Sequence, residues 1–119
     1  MGKYSFEGFA RGWFVVCFSH EIDRGEVQAL RLFGKDLVFF RGKDGGPSIL
    51  DAHCPHMGAH LGVGGVVEGD SVKCPFHAWK FNGAGECTDI PYAKKIPAKA
   101  KLPCWPVEEK NGMIYVWHD

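Results

Sequence analysis

Two short segments carry residues that could do chemistry. Cys54-Pro55-His56 and Cys74-Pro75-Phe76-His77 each set one thiol and one imidazole within a few residues of each other. Thiolates and imidazoles are ligands for zinc and for iron–sulfur clusters. In each segment a proline directly follows the Cys, fixes its own φ and stiffens the chain beside the ligand. One such segment alone would be a weak signal. Two of them, with 17 residues between His56 and Cys74, predict a centre held by Cys54, His56, Cys74 and His77. One occupant of such a set is a single tetrahedral zinc, making the chain a zinc-binding structural module. The other is a 2Fe–2S cluster with both Cys on one iron and both His on the other. Zinc fingers usually pair like with like, two Cys and then two His. Here each segment pairs unlike ligands, at Cys-x-His and Cys-x2-His spacing, which favours the cluster.

The elements around these segments read as all-β. Gly and Pro punctuate the chain and the apolar runs between them are short. Trp13 to Phe18 reads as a first strand and His20 to Gly25 as a polar connection. Val27 to Phe33, a turn at Gly34-Lys35-Asp36 and Leu37 to Arg41 make a hairpin. Ser48 to Ala52 is a short strand ahead of the first ligand segment. His53 to Gly65 has no periodicity and reads as a long functional loop. Val66 to Glu68 and Ser71 to Lys73 are paired strands leading to Cys74. Trp79 to Phe81 and Glu86 to Ile90 flank a turn at residues 82–85. An irregular basic connection runs from Pro91 to Pro103. Leu102 to Glu108 and Met113 to Trp117 close a last hairpin at Asn111-Gly112. No helix is evident, and both ligand segments follow short strands, so the ligands can converge at one tip of a β structure. The whole chain, residues 1–119, reads as one domain, with a two-loop cluster-binding part at about 52–91.

Composition sets outer bounds. At 119 residues, 45% hydrophobic and 24% charged, the chain matches an ordinary globular domain. Lys plus Arg and Asp plus Glu are both 14, so the net charge is zero, which argues against a nucleic-acid partner that would demand a basic surface. No run approaches the roughly 18–20 apolar residues of a membrane span. Met1 to Arg11 carries no apolar signal-peptide core, so the expected compartment is the cytoplasm. Five Cys is an odd count for a purely disulfide-stapled fold.

Cys54-Pro-His-Met-Gly-Ala-His-Leu, then Cys74-Pro-Phe-His-Ala-Trp-Lys-Phe, then Gly85 and Ile90-Pro91, resemble the Rieske domain of ring-hydroxylating oxygenases. Gly12 to Val16 and Leu37 to Arg41 resemble the first strands of the oxygenase α subunit. Ile90 to Pro97 and the ending Tyr115-Val-Trp-His are similar to the steroid-acting branch, 3-ketosteroid 9α-hydroxylase and the cholesterol 7-desaturase type. The resemblance covers nearly the whole chain. It implies a Rieske-type antiparallel β-sandwich, one 2Fe–2S cluster on the four residues named above, and single-electron transfer. It also implies redox partners: a reductase upstream, and an oxygenase or other acceptor downstream. Those oxygenases carry a second domain with a mononuclear iron on two His and a carboxylate. The remaining His20, His53, His60 and His118 show no spacing for such a triad. The resemblance therefore leaves two expectations, the electron-transfer domain of an oxygenase or a small ferredoxin, neither with a catalytic site of its own.

High-potential respiratory Rieske proteins place Ser and Tyr hydroxyls near the second loop and join the loops by a disulfide. The matching positions here hold Trp79 and Phe81, and Ala59 and Phe76. The resemblance thus implies a potential in the lower part of the Rieske range, and solvent-near His56 and His77 imply one that varies with pH. Ala78 stands where many members have Gly, a change small enough to leave the cluster undisturbed. Gly58 either offers its amide to the cluster or only turns the chain; Gly62, Gly64 and Gly65 read as turns. Trp79 reads as a lid over the loop rather than plain core. His53 reads as structural and His60 as a surface residue. Cys17, Cys87 and Cys104 read as buried inert thiols. Lys94, Lys95, Lys99 and Lys101, or the apolar Met57 and Phe76, are candidate docking surfaces.

Overall fold

The computed structural model describes residues 11–54, 58–75, 78–91, 96 and 100–118. Eleven strands run in the order β1 (Gly12–Phe18), β2 (Val27–Leu32), β3 (Lys35–Arg41), β4 (Pro47–Asp51), β5 (Val66–Glu68), β6 (Ser71–Lys73), β7 (Lys80–Asn82), β8 (Cys87–Asp89), β9 (Cys104–Trp105), β10 (Val107–Lys110) and β11 (Met113–His118). They form three antiparallel sheets, ordered β1-β11-β10, β2-β3-β4-β9 and β5-β6-β7-β8. The expected all-β architecture is therefore present, with one addition. Ser19–Glu21 forms a single 3-10 turn at the start of the connection read as polar. The Glu21 carboxylate accepts a hydrogen bond from the Phe18 N–H at 2.8 Å and stabilises that turn's entry.

The middle sheet has a core on each face. Side chains alternate across a strand, so Leu37 and Phe39 of β3 join Ile22, Ile49, Ile114 and Val116 on one side. Val38 and Phe40 join Leu50, Ala52, Leu61, Val72, Phe81 and Leu102 on the other. That is why Leu37-Val38-Phe39-Phe40 is continuously apolar: both faces of a central strand are buried. Each of these fully buried Leu, Ile and Phe side chains contributes about 1.5–3 kcal/mol. The second core contains Cys54 and Cys74.

Several strand ends shift by a residue, and two differences have a clear physical cause. The β2–β3 turn is Phe33-Gly34, one residue earlier than Gly34-Lys35-Asp36, and Leu32 pairs with Lys35. Both turn residues have positive φ, 54° and 74°, as a two-residue hairpin turn of the primed type requires. Phe33 bears this conformation because its ring is held by stacking on His118 (4.3 Å) and Trp105 (5.7 Å) and by an edge contact with Phe14 (5.1 Å). The second difference is that Leu102 to Glu108 is not one strand. Pro106 has no N–H to give a ladder and divides it. Cys104–Trp105 pairs with β4, and Val107–Lys110 pairs with β11. The Pro106 carbonyl still accepts from the Trp117 N–H at 3.0 Å.

Arg41 joins the sheets. Its buried guanidinium donates to the carbonyls of Ile22 (2.8 Å) and Ser19 (3.0 Å) and to both oxygens of Glu109 (3.0 and 3.2 Å). The same cation holds the Glu109 carboxyl below its usual pKa.

Candidate metal centre

Cys54 lies three residues beyond β4 and Cys74 directly beyond β6. Neither is in a disulfide; the two residues are 2% and 3% exposed and share one core cluster. The two loops that start from them close in the same way. The Cys54 N–H donates to the Ala59 carbonyl at 2.9 Å, and the Cys74 N–H donates to the Trp79 carbonyl at 2.8 Å. Each bond spans five residues. Each loop also has a left-handed residue four positions beyond its Cys: Gly58, φ 74°, and Ala78, φ 60°. His56 and His77, which come between these bonded residues in sequence, lie with Pro55, Met57 and Phe76 outside the described residues. Among the described residues no three metal-ligating side chains come together.

The two loops touch. A Cβ placed on Gly64 would stand 3.3 Å from Pro75 Cβ, and one on Gly65 would stand 2.0 Å from the Leu61 carbonyl oxygen and 3.1 Å from that of Lys73. Gly62 is pressed on Ala29 of β2, where a Cβ would meet the Ala29 Cα at 2.7 Å. These glycines are close-approach positions as well as turns. Gly58 is different: a Cβ there meets nothing within 4 Å, so its φ is what calls for glycine. The Gly58 N–H is spent on the Cys54 carbonyl at 2.7 Å, which makes Gly58 a turn residue and removes the reading of its amide as a donor to the cluster.

Ala78 has a φ of 60°, which places an L side chain in the left-handed region at a cost of about 1–2 kcal/mol. Trp79 is half-buried, and its side chain packs on the core that holds both cysteines.

His53 and His60 flank the first loop as an isolated antiparallel bridge. His53 Nδ1 lies 2.8 Å from the Gly58 carbonyl and its Nε2 lies 3.1 Å from Asp36 Oδ2. Both partners only accept, so both ring nitrogens donate, and the contact with the Gly58 carbonyl, then that with Asp36, pushes the His53 pKa up. His60 is half-buried rather than a plain surface residue, and its Nδ1 accepts from the Gly62 N–H at 2.9 Å. On the second loop Lys73, the residue before Cys74, pairs with Glu68, which also meets Lys80 at 2.8 Å. Hydrogen bonds from Lys73 and then Lys80 hold the Glu68 carboxyl down at about 2. Neither charged tether was anticipated. Their partners lie 17 and 5 residues away in sequence, and only folding shows that they meet.

The other thiols divide. Cys17 and Cys87 are half-buried, and burial is the first cause pushing each thiol's pKa up. Cys87 packs against the core that holds Cys54 and Cys74. Cys104 is exposed, contrary to its expected burial. On the two-residue β9 it is Trp105 that turns inward, donating its Nε1–H to Asp51 Oδ1 at 2.8 Å. Of the basic run, Lys101 is described and exposed, while Lys94, Lys95 and Lys99 lie outside the described residues.

Soft donors buried together, on two matching loops that each bring an imidazole in sequence, fit an iron–sulfur group. Bound to a metal, such thiols serve as thiolates.

Comparison with known proteins agrees. The Rieske [2Fe-2S] domain description matches residues 12–106. The chain is 48% identical over 109 residues to cholesterol 7-desaturase nvd 1 of Ciona intestinalis, covering 92% of this chain and 23% of that protein. It is 46% identical over 111 residues to a 3-ketosteroid-9-alpha-monooxygenase, oxygenase component, of Rhodococcus rhodochrous, covering 93% and 28%. The chain thus spans about a quarter of the length of these curated relatives. Among solved structures, dicamba monooxygenase bound to dicamba superposes with TM-score 0.86 at 28% identity, over 94% of this chain and 34% of that one. The oxygenase–ferredoxin complex of carbazole 1,9a-dioxygenase gives TM-score 0.79 at 33% identity, over 92% and 29%. No helix among the described residues is long and apolar enough to cross a membrane. The choice between zinc and a cluster is decided for a Rieske-type 2Fe–2S cluster. With residues 12–106 matched, the chain belongs to the Rieske 2Fe–2S domain family and serves single-electron transfer.

Proposed function

We propose that Cys54, His56, Cys74 and His77 hold the cluster, and that the chain is the electron-transfer domain of a Rieske oxygenase acting on a steroid nucleus. One observation carries the ligand assignment: Cys54 and Cys74 start two loops of the same closure and are buried in one core. The steroid reading is supported by 48% and 46% identity to a sterol desaturase and a ketosteroid monooxygenase. When bound, the cluster takes up and releases one electron at a potential raised by its neutral imidazole ligands. The chain's own residues do the rest. Leu61, Val72, Phe81 and Leu102 keep water from the thiolates. The closing hydrogen bonds fix both loops, and residues 52–91 act as the cluster-binding part of a single domain. Trp79 and Phe81 offer no hydroxyl to a sulfur, so the potential falls in the lower half of the roughly −150 to +300 mV Rieske range. A reductase or ferredoxin supplies the electron, as a ferredoxin accompanies the oxygenase in the carbazole structure, and the oxygenase's iron domain receives it. A cytoplasmic setting accords with the free thiols of Cys17, Cys87 and Cys104.

The test is iron and acid-labile sulfide analysis with electron paramagnetic resonance (EPR) of the dithionite-reduced protein. The proposal expects two irons and two sulfides per chain; zinc with no paramagnetic signal defeats it. Protein-film voltammetry near neutral pH checks the potential, and a value near the top of the range contradicts the hydroxyl argument. The mass of the native polypeptide separates an oxygenase domain from a free-standing ferredoxin: a native species of 13.2 kDa favours the ferredoxin.

A further inference from the structure

We infer that His53 is a positioning residue, whose ring ties the first cluster loop to the middle sheet and so sets where Cys54 stands; this rests on the ligand assignment proposed above. The ring is held at both ends, by the Gly58 carbonyl at 2.8 Å and by Asp36 Oδ2 at 3.1 Å. Each end is itself anchored. Gly58 is the left-handed corner of the loop, and its N–H closes on the Cys54 carbonyl at 2.7 Å. Asp36 lies near the start of β3, where its Oδ1 takes a hydrogen bond from Arg31 Nη1 at 2.6 Å. Arg31 Nη2 donates in turn to the Gly34 carbonyl at 3.3 Å, and the Asp36 carbonyl accepts the Ala52 N–H at 3.1 Å. The His60 ring meets His53 edge-on at 5.3 Å and limits its rotation. A continuous line of contacts thus runs from β2 through Asp36 and His53 into the turn that begins at Cys54.

The side chains of His53 and Asp36 are 53% and 34% exposed, so the bridge adds little to global stability. Its consequence is local. Without it the Gly58 corner loses its hold on the sheet, and the loop samples positions in which the ligands fit less well. Residues that orient metal ligands typically change metal retention by about 10–100-fold when removed.

The experiment compares holoprotein variants by melting temperature, rate of cluster loss to a chelator and EPR g values of the reduced state. His53→Ala is expected to melt close to the parent protein, to lose its cluster about 10-fold faster and to shift or broaden its g values. Asp36→Asn keeps one oxygen, which can accept from the ring or from Arg31 but not from both, and is expected to fall between the parent and Asp36→Ala, which follows His53→Ala. If His53→Ala does not accumulate, Asp36→Ala, which cuts only the far end of the bridge, carries the same expectation. A His53→Ala or Asp36→Ala protein with parental cluster loss and g values overturns the inference, as does a loss of melting temperature in proportion to cluster loss. A parent protein that binds no cluster instead overturns the ligand assignment, so the two failures are told apart.

Discussion

The first cluster loop turns on Gly58 and the second on Ala78, each four residues past its cysteine, each with positive φ. The same hydrogen bond closes both loops, and in both the residue before the cysteine, His53 or Lys73, is tied to a carboxylate, Asp36 or Glu68. The loops differ in what surrounds this shared turn. Past Ala59 the first loop continues through Gly62–Gly65, packed on Ala29, Leu61 and Pro75, before β5 begins. The second passes straight into β7, whose register with β6 sets Lys73 opposite Lys80. The lesson is that one local turn, used twice, can be held by tertiary close approach in one copy and by a β-ladder in the other.

The largest expected effect tests what the loops share. Cys54→Ala and Cys74→Ala should each abolish the visible absorption of the cluster while leaving an all-β circular dichroism spectrum; retention of the cluster in either variant breaks the equivalence. Next comes the asymmetry. Gly65→Ala drives a Cβ to 2.0 Å from a backbone oxygen and should destabilise by about 3 kcal/mol or more, read by chemical denaturation. Nothing comparable exists among the described residues of the second loop. Smaller again is the pair of corner swaps. Gly58→Ala should cost about 1 kcal/mol, because the site has space and only φ resists. Ala78→Gly should gain a similar amount, at most about 1 kcal/mol. Opposite signs sharpen the comparison; the same sign in both breaks it.

The smallest effect concerns the charged tether of the second loop. Hydrogen bonds from Lys73 and Lys80 hold the Glu68 carboxyl down at about 2, below its ordinary 4.5. A depressed carboxylate contributes stability above its unfolded pKa and loses it as pH falls through the folded one. The stability difference between the parent and Glu68→Gln should therefore be full above pH 4.5 and vanish toward pH 2. A difference independent of pH would show that the Lys73–Glu68–Lys80 contacts do not bear on the fold.

Much of this was legible in the residues themselves. The mixed Cys and His segments announced a metal centre because few structural roles need a thiol and an imidazole so close, twice over. Leu37 to Arg41 announced a strand, though its burial on both faces shows only in the fold. Less visible were features that depend on meeting a distant partner. Phe33 takes a left-handed turn conformation only because Trp105 and His118 stack beside it. Cys104 looked like strand core, yet the break at Pro106 leaves β9 two residues long and turns its thiol outward. His53 could be placed out of the ligand set by its position beside Cys54, but its partner Asp36 lies across a hairpin that no local pattern connects to it. The left-handed φ of Ala78 was not legible either, since the size of a side chain says nothing about φ.

The central claim is that two mixed loops supply two thiolates and two imidazoles to one cluster. Pulsed EPR of the reduced protein, grown with 15N-labelled histidine, tests it most directly. The account predicts strong coupling from two histidine nitrogens, with one of the two lost in His56→Cys and in His77→Cys. Coupling to no histidine nitrogen, or unchanged couplings in those variants, would contradict it.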